Sequence, residues 1–313
     1  MSPSVSCVRA EILQSCSSAV NEPKSSADPT TASSARAVVV ARRTALGELV
    51  LRGEAFGEGL PVVGLHGLTA TRRNVFHGSL LLARSGTRLV TYDARGHGDS
   101  DPAPRRDAYS YDELVDDLEA VVATVARTPP LLVGVSMGAA TALAAALRSQ
   151  VEAAGLVLVT PPALSRRDEP IPVDELAAAL EVGDLDRAAS LALPAALAPR
   201  WRAVAHAAVR QRFARHRQPR AVADALRVVS RSPLPFAAGD LARLELPVLV
   251  VGSRDDADPL HPLADARELA AAIPAAEFLV EDEGRSPLAW QGAQLARVVL
   301  AFAERHGLLS RGR

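Results

Sequence analysis

Short apolar runs alternate with amphipathic stretches along this chain from about residue 37 onwards. The first two runs, at 37–43 and 48–53, predict a β-hairpin. The later runs predict buried strands at 60–65, 87–92, 131–133, 155–159, 247–251 and 277–280. Amphipathic stretches predict helices at about 72–84, from Ser110 onwards, and at 139–147, 263–272 and 290–306. Such an alternation predicts an α/β fold with a mostly parallel, doubly wound sheet that helices cover on both faces.

One long segment interrupts this alternation. Residues 164–235 contain Ala-rich helical stretches separated by prolines and have no β-branched run. We therefore expect a helical cap at 164–235, inserted into an α/β core made of residues 36–163 and 236–313. A subsegment of the cap, residues 200–220, carries seven arginines. These arginines form either a solvated helix face or a set of groups that recognises a carboxylate-bearing substrate.

The first 35 residues differ in composition from the rest. They are rich in Ser, Ala and Thr and lack the continuous apolar stretch of a secretory signal. We expect a disordered tail at 1–35, or an overextended gene start. Cys7 and Cys16 are the two cysteines of the chain, and both lie in this tail. A disulfide framework for the core is thereby excluded, and a cytoplasmic location is expected.

Composition narrows the classes of partner. The chain has 313 residues, of which 48% are hydrophobic, and a formal net charge of -1. A large core can therefore be buried, and no charge imbalance favours nucleic acid or an anionic membrane. The sequence has no apolar run of membrane-spanning length. We expect a small-molecule substrate, with no nucleic-acid or membrane partner, and the sequence carries no signal for oligomeric state.

The most specific motif is at residues 134–138, which read Gly-Val-Ser-Met-Gly. It lies between an apolar strand and an Ala-rich helix, which is the context of a G-x-S-x-G nucleophile elbow. Small residues at Gly134 and Gly138 allow a sharp turn that directs the Ser136 hydroxyl outward. The start of the following helix carries partial positive charge, which suits a developing anion. Ser136 is therefore the predicted nucleophile.

Four segments in order make the chain similar to the α/β-hydrolase superfamily over roughly residues 37–307. They are His-Gly-Leu at 66–68, the Gly-rich loop at 92–100, the elbow at 134–138, and Gly-Ser-Arg-Asp at 252–255 followed by Pro259. This resemblance implies that the backbone N–H groups of Leu68 and Met137 form the oxyanion hole. It also implies that Asp255 orients a histidine base.

Neither a metal nor a cofactor is expected. The acidic cluster Asp255, Asp256 and Asp258 lacks the ligand spacing of a dedicated cation loop. The Gly-rich loop near residues 96–98 has neither Walker nor dinucleotide spacing.

Arg285 stands where the resemblance implies the catalytic histidine. A guanidinium cannot accept the serine proton near neutral pH. His261, six residues after Asp255, could serve as the base, or it could only cap the start of the next helix. Alternatively, Arg285 could pair with Asp255 in a protein that binds small ligands without hydrolysing them. A third alternative is chemistry that needs an oxyanion hole but no serine base, such as C–C cleavage or isomerisation.

The leading hypothesis is a hydrolase that acts on a small ester, lactone or related carbonyl compound. In it, Ser136 is the nucleophile, Asp255 the acid and His261 the base. The competing hypothesis is the non-hydrolytic binding protein.

Overall fold

The computed structural model describes residues 34–44, 47–165, 171–256, 258–281 and 292–309. The predicted tail, with the exception of its last two residues, lies outside this description, and so does Arg285. The strands are β1 Arg36–Thr44, β2 Gly47–Phe56, β3 Leu60–Leu65, β4 Thr87–Tyr92, β5 Leu131–Val135, β6 Gly155–Val159, β7 Val248–Gly252 and β8 Glu277–Val280. The helices are α1 Tyr111–Val125, α2 Met137–Leu147, α3 Val173–Glu181, α4 Leu185–Leu191, α5 Pro199–Phe213, α6 Pro219–Val229, α7 Leu263–Ala272 and α8 Gly292–Arg305.

In the described residues, these strands form one eight-stranded sheet with the order β1-β2-β4-β3-β5-β6-β7-β8. The predicted hairpin is present, since β1 pairs antiparallel with β2. The β2 strand also pairs antiparallel with β4, and all later pairings are parallel. The predicted fold class is therefore confirmed.

Helices cover both faces of the sheet. Successive side chains of a strand point to opposite sides, so neighbouring residues contact different helices. Leu132 on β5 belongs to an apolar cluster with α1 and α2. Its neighbour Val133 belongs to a second cluster, which Phe302 on α8 completes. All three residues are fully buried. Strands with two buried faces explain why the sequence shows continuous apolar runs rather than alternation.

The helix predicted at about 72–84 is wrong. The structure has only a short 3-10 helix at Arg72–Asn74, followed by turns. His77 has a φ of 47° and Gly78 a φ of 78°, so both adopt the left-handed conformation. An α-helix cannot continue through two such residues, although the apolar spacing of the segment suits a helix.

Helices α3 to α6 lie between β6 and β7, where the sequence predicts a helical insertion. They enclose their own apolar cluster, which includes Leu176, Phe213 and Leu226. Leu68, from the loop after β3, packs against this cluster. The insertion thus contacts a loop that follows a strand of the sheet. That it forms a separate cap domain stays a prediction. Within the described part of the chain, none of the helices is both long and apolar enough to cross a membrane.

Candidate active site

Ser136 lies at the tight turn between β5 and α2. Its φ of 49° and ψ of -111° are unusual for a residue with a side chain, and such strain is typical of functional turns. A Cβ atom at Gly134 would lie 2.3 Å from the Gly138 carbonyl oxygen, and one at Gly138 would lie 2.4 Å from that of Leu65. Close backbone approach therefore requires both flanking glycines. The turn presents Ser136 to a cavity at the start of α2.

His261 contacts the Ser136 hydroxyl directly. Its Nε2 atom lies 2.8 Å from Ser136 Oγ, although the two residues are 125 positions apart. On the other side of the ring, Nδ1 lies 2.8 Å from Oδ2 of Asp258. The three side chains thus form one hydrogen-bonded row, with 24% of the His261 side chain and 20% of the Asp258 side chain exposed.

The loop after β7 brings His261 and Asp258 together. The Asp258 N–H donates to the Arg254 carbonyl over 2.9 Å, and the His261 N–H donates to the Asp258 carbonyl over 3.2 Å. Two successive turns therefore bring the imidazole back over the carboxylate three residues earlier. Leu263, the first residue of α7, follows directly after this loop.

The charges in this row are coupled. Burial lowers the pKa of His261, but the carboxylates of Asp258 and Asp265 together raise it above its ordinary value. Burial raises the pKa of Asp258, but His261, the Leu260 N–H and Arg212 together bring it below its usual value. An ionised carboxylate can only accept a hydrogen bond, so the neutral imidazole carries its proton on Nδ1. Nε2 is then the acceptor that faces the Ser136 O–H.

Asp255 does not contact His261, contrary to the role that the family resemblance implies for it. Its Oδ1 atom accepts a hydrogen bond from the Leu263 N–H over 2.7 Å, and its side chain is exposed. It thereby satisfies one of the backbone donors that an α-helix leaves unpaired at its start. The carboxylate at the imidazole is Asp258, because the turn described above places it, and not Asp255, beside Nδ1.

The two predicted oxyanion donors border the same cavity as Ser136. Both Leu68 and Met137 line it together with His261. Among the hydrogen bonds between described residues, none is donated by the backbone N–H of Leu68 or of Met137. Met137 is the first residue of α2, where a helix leaves its N–H groups unpaired. Neither amide is therefore engaged by another described residue, and the oxyanion hole stays a prediction.

Three buried imidazoles, which we call the histidine brace, hold the loop that carries Leu68. They are His66, His97 and His216, with 2%, 1% and 6% of their surface exposed. His66 Nδ1 donates to the Gly67 carbonyl over 2.8 Å. The Thr69 N–H donates to His97 Nε2 over 3.3 Å, and His216 Nε2 donates to the Thr69 carbonyl over 3.0 Å.

The brace also fastens the helical insertion to the sheet. His216 lies between α5 and α6, and its Nδ1 accepts a hydrogen bond from the Gly98 N–H over 2.9 Å. The sequence does not predict this structural role of His216. The contacts of His216 span 118 and 147 residues, so no local pattern could reveal them.

Burial keeps the brace neutral. It lowers the pKa of His66 well below 6.5, that of His97 to about 4 and that of His216 to about 3. In each ring one nitrogen accepts a backbone N–H, which only a neutral imidazole can do.

Ser136 and His261 lie between two cavities. The larger has a volume of about 680 Å³ and apolar walls that include Val173 and Val229. The smaller, of about 380 Å³, has walls that include Val209 and Arg212 of α5. Leu68, Ser136 and His261 line both cavities, as do Ile171, Leu226, Pro259 and Leu260. An extended substrate can therefore occupy both sides of the serine.

In the described residues, no group of three or more His, Cys, Asp or Glu side chains is arranged to hold a metal ion. Asp255 and Asp258, two members of the acidic cluster, have the hydrogen-bonding roles given above.

Comparison with known proteins identifies the family of this chain. Residues 62–298 match the model of the alpha/beta hydrolase family. The sn-1-specific diacylglycerol lipase ABHD11 of Mus musculus is 38% identical over 99 residues, which are 31% of this chain and 31% of the lipase. The AB hydrolase superfamily protein YisY of Bacillus subtilis (strain 168) is 34% identical over 90 residues, or 29% of this chain and 33% of that protein. The chain thus aligns with about a third of the length of each of these curated relatives.

Solved structures share the fold over a larger part of the chain. The enol-lactonase from Burkholderia xenovorans LB400 superposes with a TM-score of 0.65. The superposition covers 82% of this chain and 97% of the lactonase at 22% sequence identity, a likeness that concerns the fold alone. Because the family model matches well over half of the sequence, the chain belongs to the alpha/beta hydrolase family.

Proposed function

We propose that this protein hydrolyses a small ester, lactone or related carbonyl compound through Ser136. The observation that carries the proposal is the 2.8 Å contact between His261 Nε2 and Ser136 Oγ, which is within reach for proton transfer. The family and its named relatives are hydrolases, which supports the same reaction class.

Each residue of the row has a distinct task in this proposal. His261 takes the proton of the Ser136 hydroxyl as Oγ attacks the substrate carbonyl. The N–H groups of Leu68 and Met137 then donate to the oxyanion of the tetrahedral intermediate. The imidazolium returns its proton to the departing alkoxide, and water hydrolyses the acyl-serine by the same route. Asp258 holds the Nδ1 tautomer and stabilises the imidazolium, the task that the family resemblance implies for Asp255.

An active-site fluorophosphonate and a panel of aryl acetates test the proposal. We expect labelling of the wild type at Ser136 and none in Ser136→Ala. Ester turnover should fall on the order of 10⁴- to 10⁶-fold in Ser136→Ala and His261→Ala. Ser165→Ala is the matched control, because Ser165 lines the same cavity but takes no part in the row.

Two outcomes would contradict the proposal. Labelling and turnover that survive His261→Ala would exclude His261 as the base. A wild type that neither labels nor hydrolyses, but melts at a higher temperature with a small ligand, would favour the non-hydrolytic binding protein.

A further inference from the structure

Arg212 of α5 is half-buried and charged, and its guanidinium carbon lies 5.6 Å from the centroid of the Phe213 ring. Its Nε atom is buried and has no hydrogen-bond partner among the described residues. Over the same part of the chain, no carboxylate lies within ion-pair distance of its guanidinium. By contrast, Arg210, two positions earlier on α5, contacts Asp186 over 2.7 Å at the surface. Burial of an unpaired guanidinium is costly, so its retention calls for an explanation.

Arg212 lines the smaller cavity, which Ser136 and His261 also line. The lining at this side includes the polar residues Thr69 and Asn74. Burial lowers the pKa of Arg212, and the one carboxylate that opposes this effect is Asp258. The charge of Asp258 is already engaged by His261. Arg212 is thus a positive group in a cavity beside the nucleophile with no counter-ion of its own among the described residues.

Resting on the function proposed above, we infer that Arg212 binds a carboxylate of the substrate while Ser136 attacks a carbonyl elsewhere in the same molecule. A guanidinium presents a planar pair of N–H donors that matches a carboxylate. Asp258 borders the same cavity, so a singly charged carboxylate suits it better than a doubly charged phosphate monoester. The substrate class is then a half-ester or lactone that bears a free carboxylate.

Two isosteric substrate pairs test this inference. 4-Acetoxybenzoate carries a carboxylate on the alcohol part of the ester, and 4-acetoxybenzamide carries an amide in its place. Monomethyl adipate and methyl adipamate carry the same difference on the acyl part. We expect wild-type kcat/KM to favour the acid about 10- to 100-fold in at least one pair, which is the usual size of one charge-assisted hydrogen-bonded contact.

Arg212→Met should remove this preference by raising KM for the acid much more than KM for the amide. Arg212→Lys should retain part of the preference, since it keeps the charge without the planar donors. Arg215→Met is the matched control, because it removes the same charge from an exposed position three residues later.

The inference is overturned if the wild type shows no preference in either pair, or if the preference survives Arg212→Met. Inhibition by phenyl phosphate that is stronger than inhibition by benzoate would also overturn the assignment to a carboxylate. If the wild type hydrolyses none of the esters, the proposed function fails but the inference is still tested. Calorimetry with Ser136→Ala then compares binding of monomethyl adipate and methyl adipamate, with and without Arg212, and equal binding overturns it.

Discussion

His261 and the three rings of the histidine brace are all imidazoles, yet the protein gives them opposite properties. The pKa of His261 lies above 6.5, whereas His97 has a pKa of about 4 and His216 one of about 3. All of these rings are largely shielded from water, so burial alone does not separate them. The difference lies in their partners.

A carboxylate faces His261, whereas backbone groups face the rings of the brace. The carboxylate favours the protonated ring and lets the base hold a proton during a reaction. A backbone N–H that donates to a ring nitrogen requires the neutral ring and fixes its orientation. Under the proposed function, the same side chain thus serves proton transfer in one place and rigid support in the other.

The change expected to have the largest effect is Asp258→Asn, which makes the surroundings of His261 resemble those of the brace. We expect turnover near pH 7 to fall about 10⁴-fold, because the amide disturbs the tautomer and no longer stabilises the imidazolium. Wild-type activity should rise with pH through a pKa above 6.5, and this acidic limb should move to lower pH in the variant.

Asp255→Asn is the matched control for that change. Since Asp255 contacts the Leu263 N–H and not the imidazole, the activity of this variant should stay within about threefold of wild type. The reverse result, with Asp255→Asn the more damaged enzyme, would return the role of the acid to Asp255.

The second effect is a loss of folding stability at acidic pH, which the histidine brace causes. The unfolded chain binds protons to its histidines below about pH 6.5, while the folded brace does not, so stability should fall as the pH falls. His97 alone, with its folded pKa of about 4, should account for a loss on the order of 3 kcal/mol between pH 6.5 and 4. Urea unfolding at intervals from pH 7.5 to 5 measures the slope above the range of most carboxylates. A flat profile would mean that the brace takes up protons without unfolding.

The smallest of the three effects is expected for His216→Ala. Loss of this ring leaves the Thr69 carbonyl and the Gly98 N–H without their partner, which should cost roughly 2 kcal/mol of unfolding free energy. His206→Ala is the control, because its ring lies on α5 with exposed contacts only. Equal melting temperatures for the two variants would argue against a brace that depends on His216.

Features of this molecule that depend only on neighbouring residues could be predicted from the sequence. The elbow needs two glycines around one serine between a strand and a helix, and five consecutive residues encode all of that. The site acid could not be chosen in the same way. Asp255 and Asp258 lie three positions apart, and only the path of the loop decides which carboxylate meets His261.

Long-range contacts and local strain account for the other differences. The bonds of His216 depend on packing between segments more than 100 residues apart, which no window of sequence contains. The helix expected at 72–84 fails because His77 and Gly78 adopt left-handed angles that apolar spacing does not reveal. Arg285, the residue that the family resemblance makes most puzzling, lies outside the described residues.

The two cavities that meet at Ser136 have a practical consequence for protein engineering. Val173 and Val229 border only the larger cavity, whereas Ala205 and Val209 border only the smaller one. Libraries built at each pair can therefore retune selectivity for the two halves of a substrate one at a time. Ser136 and His261, which line both cavities, would remain untouched while either half is redesigned.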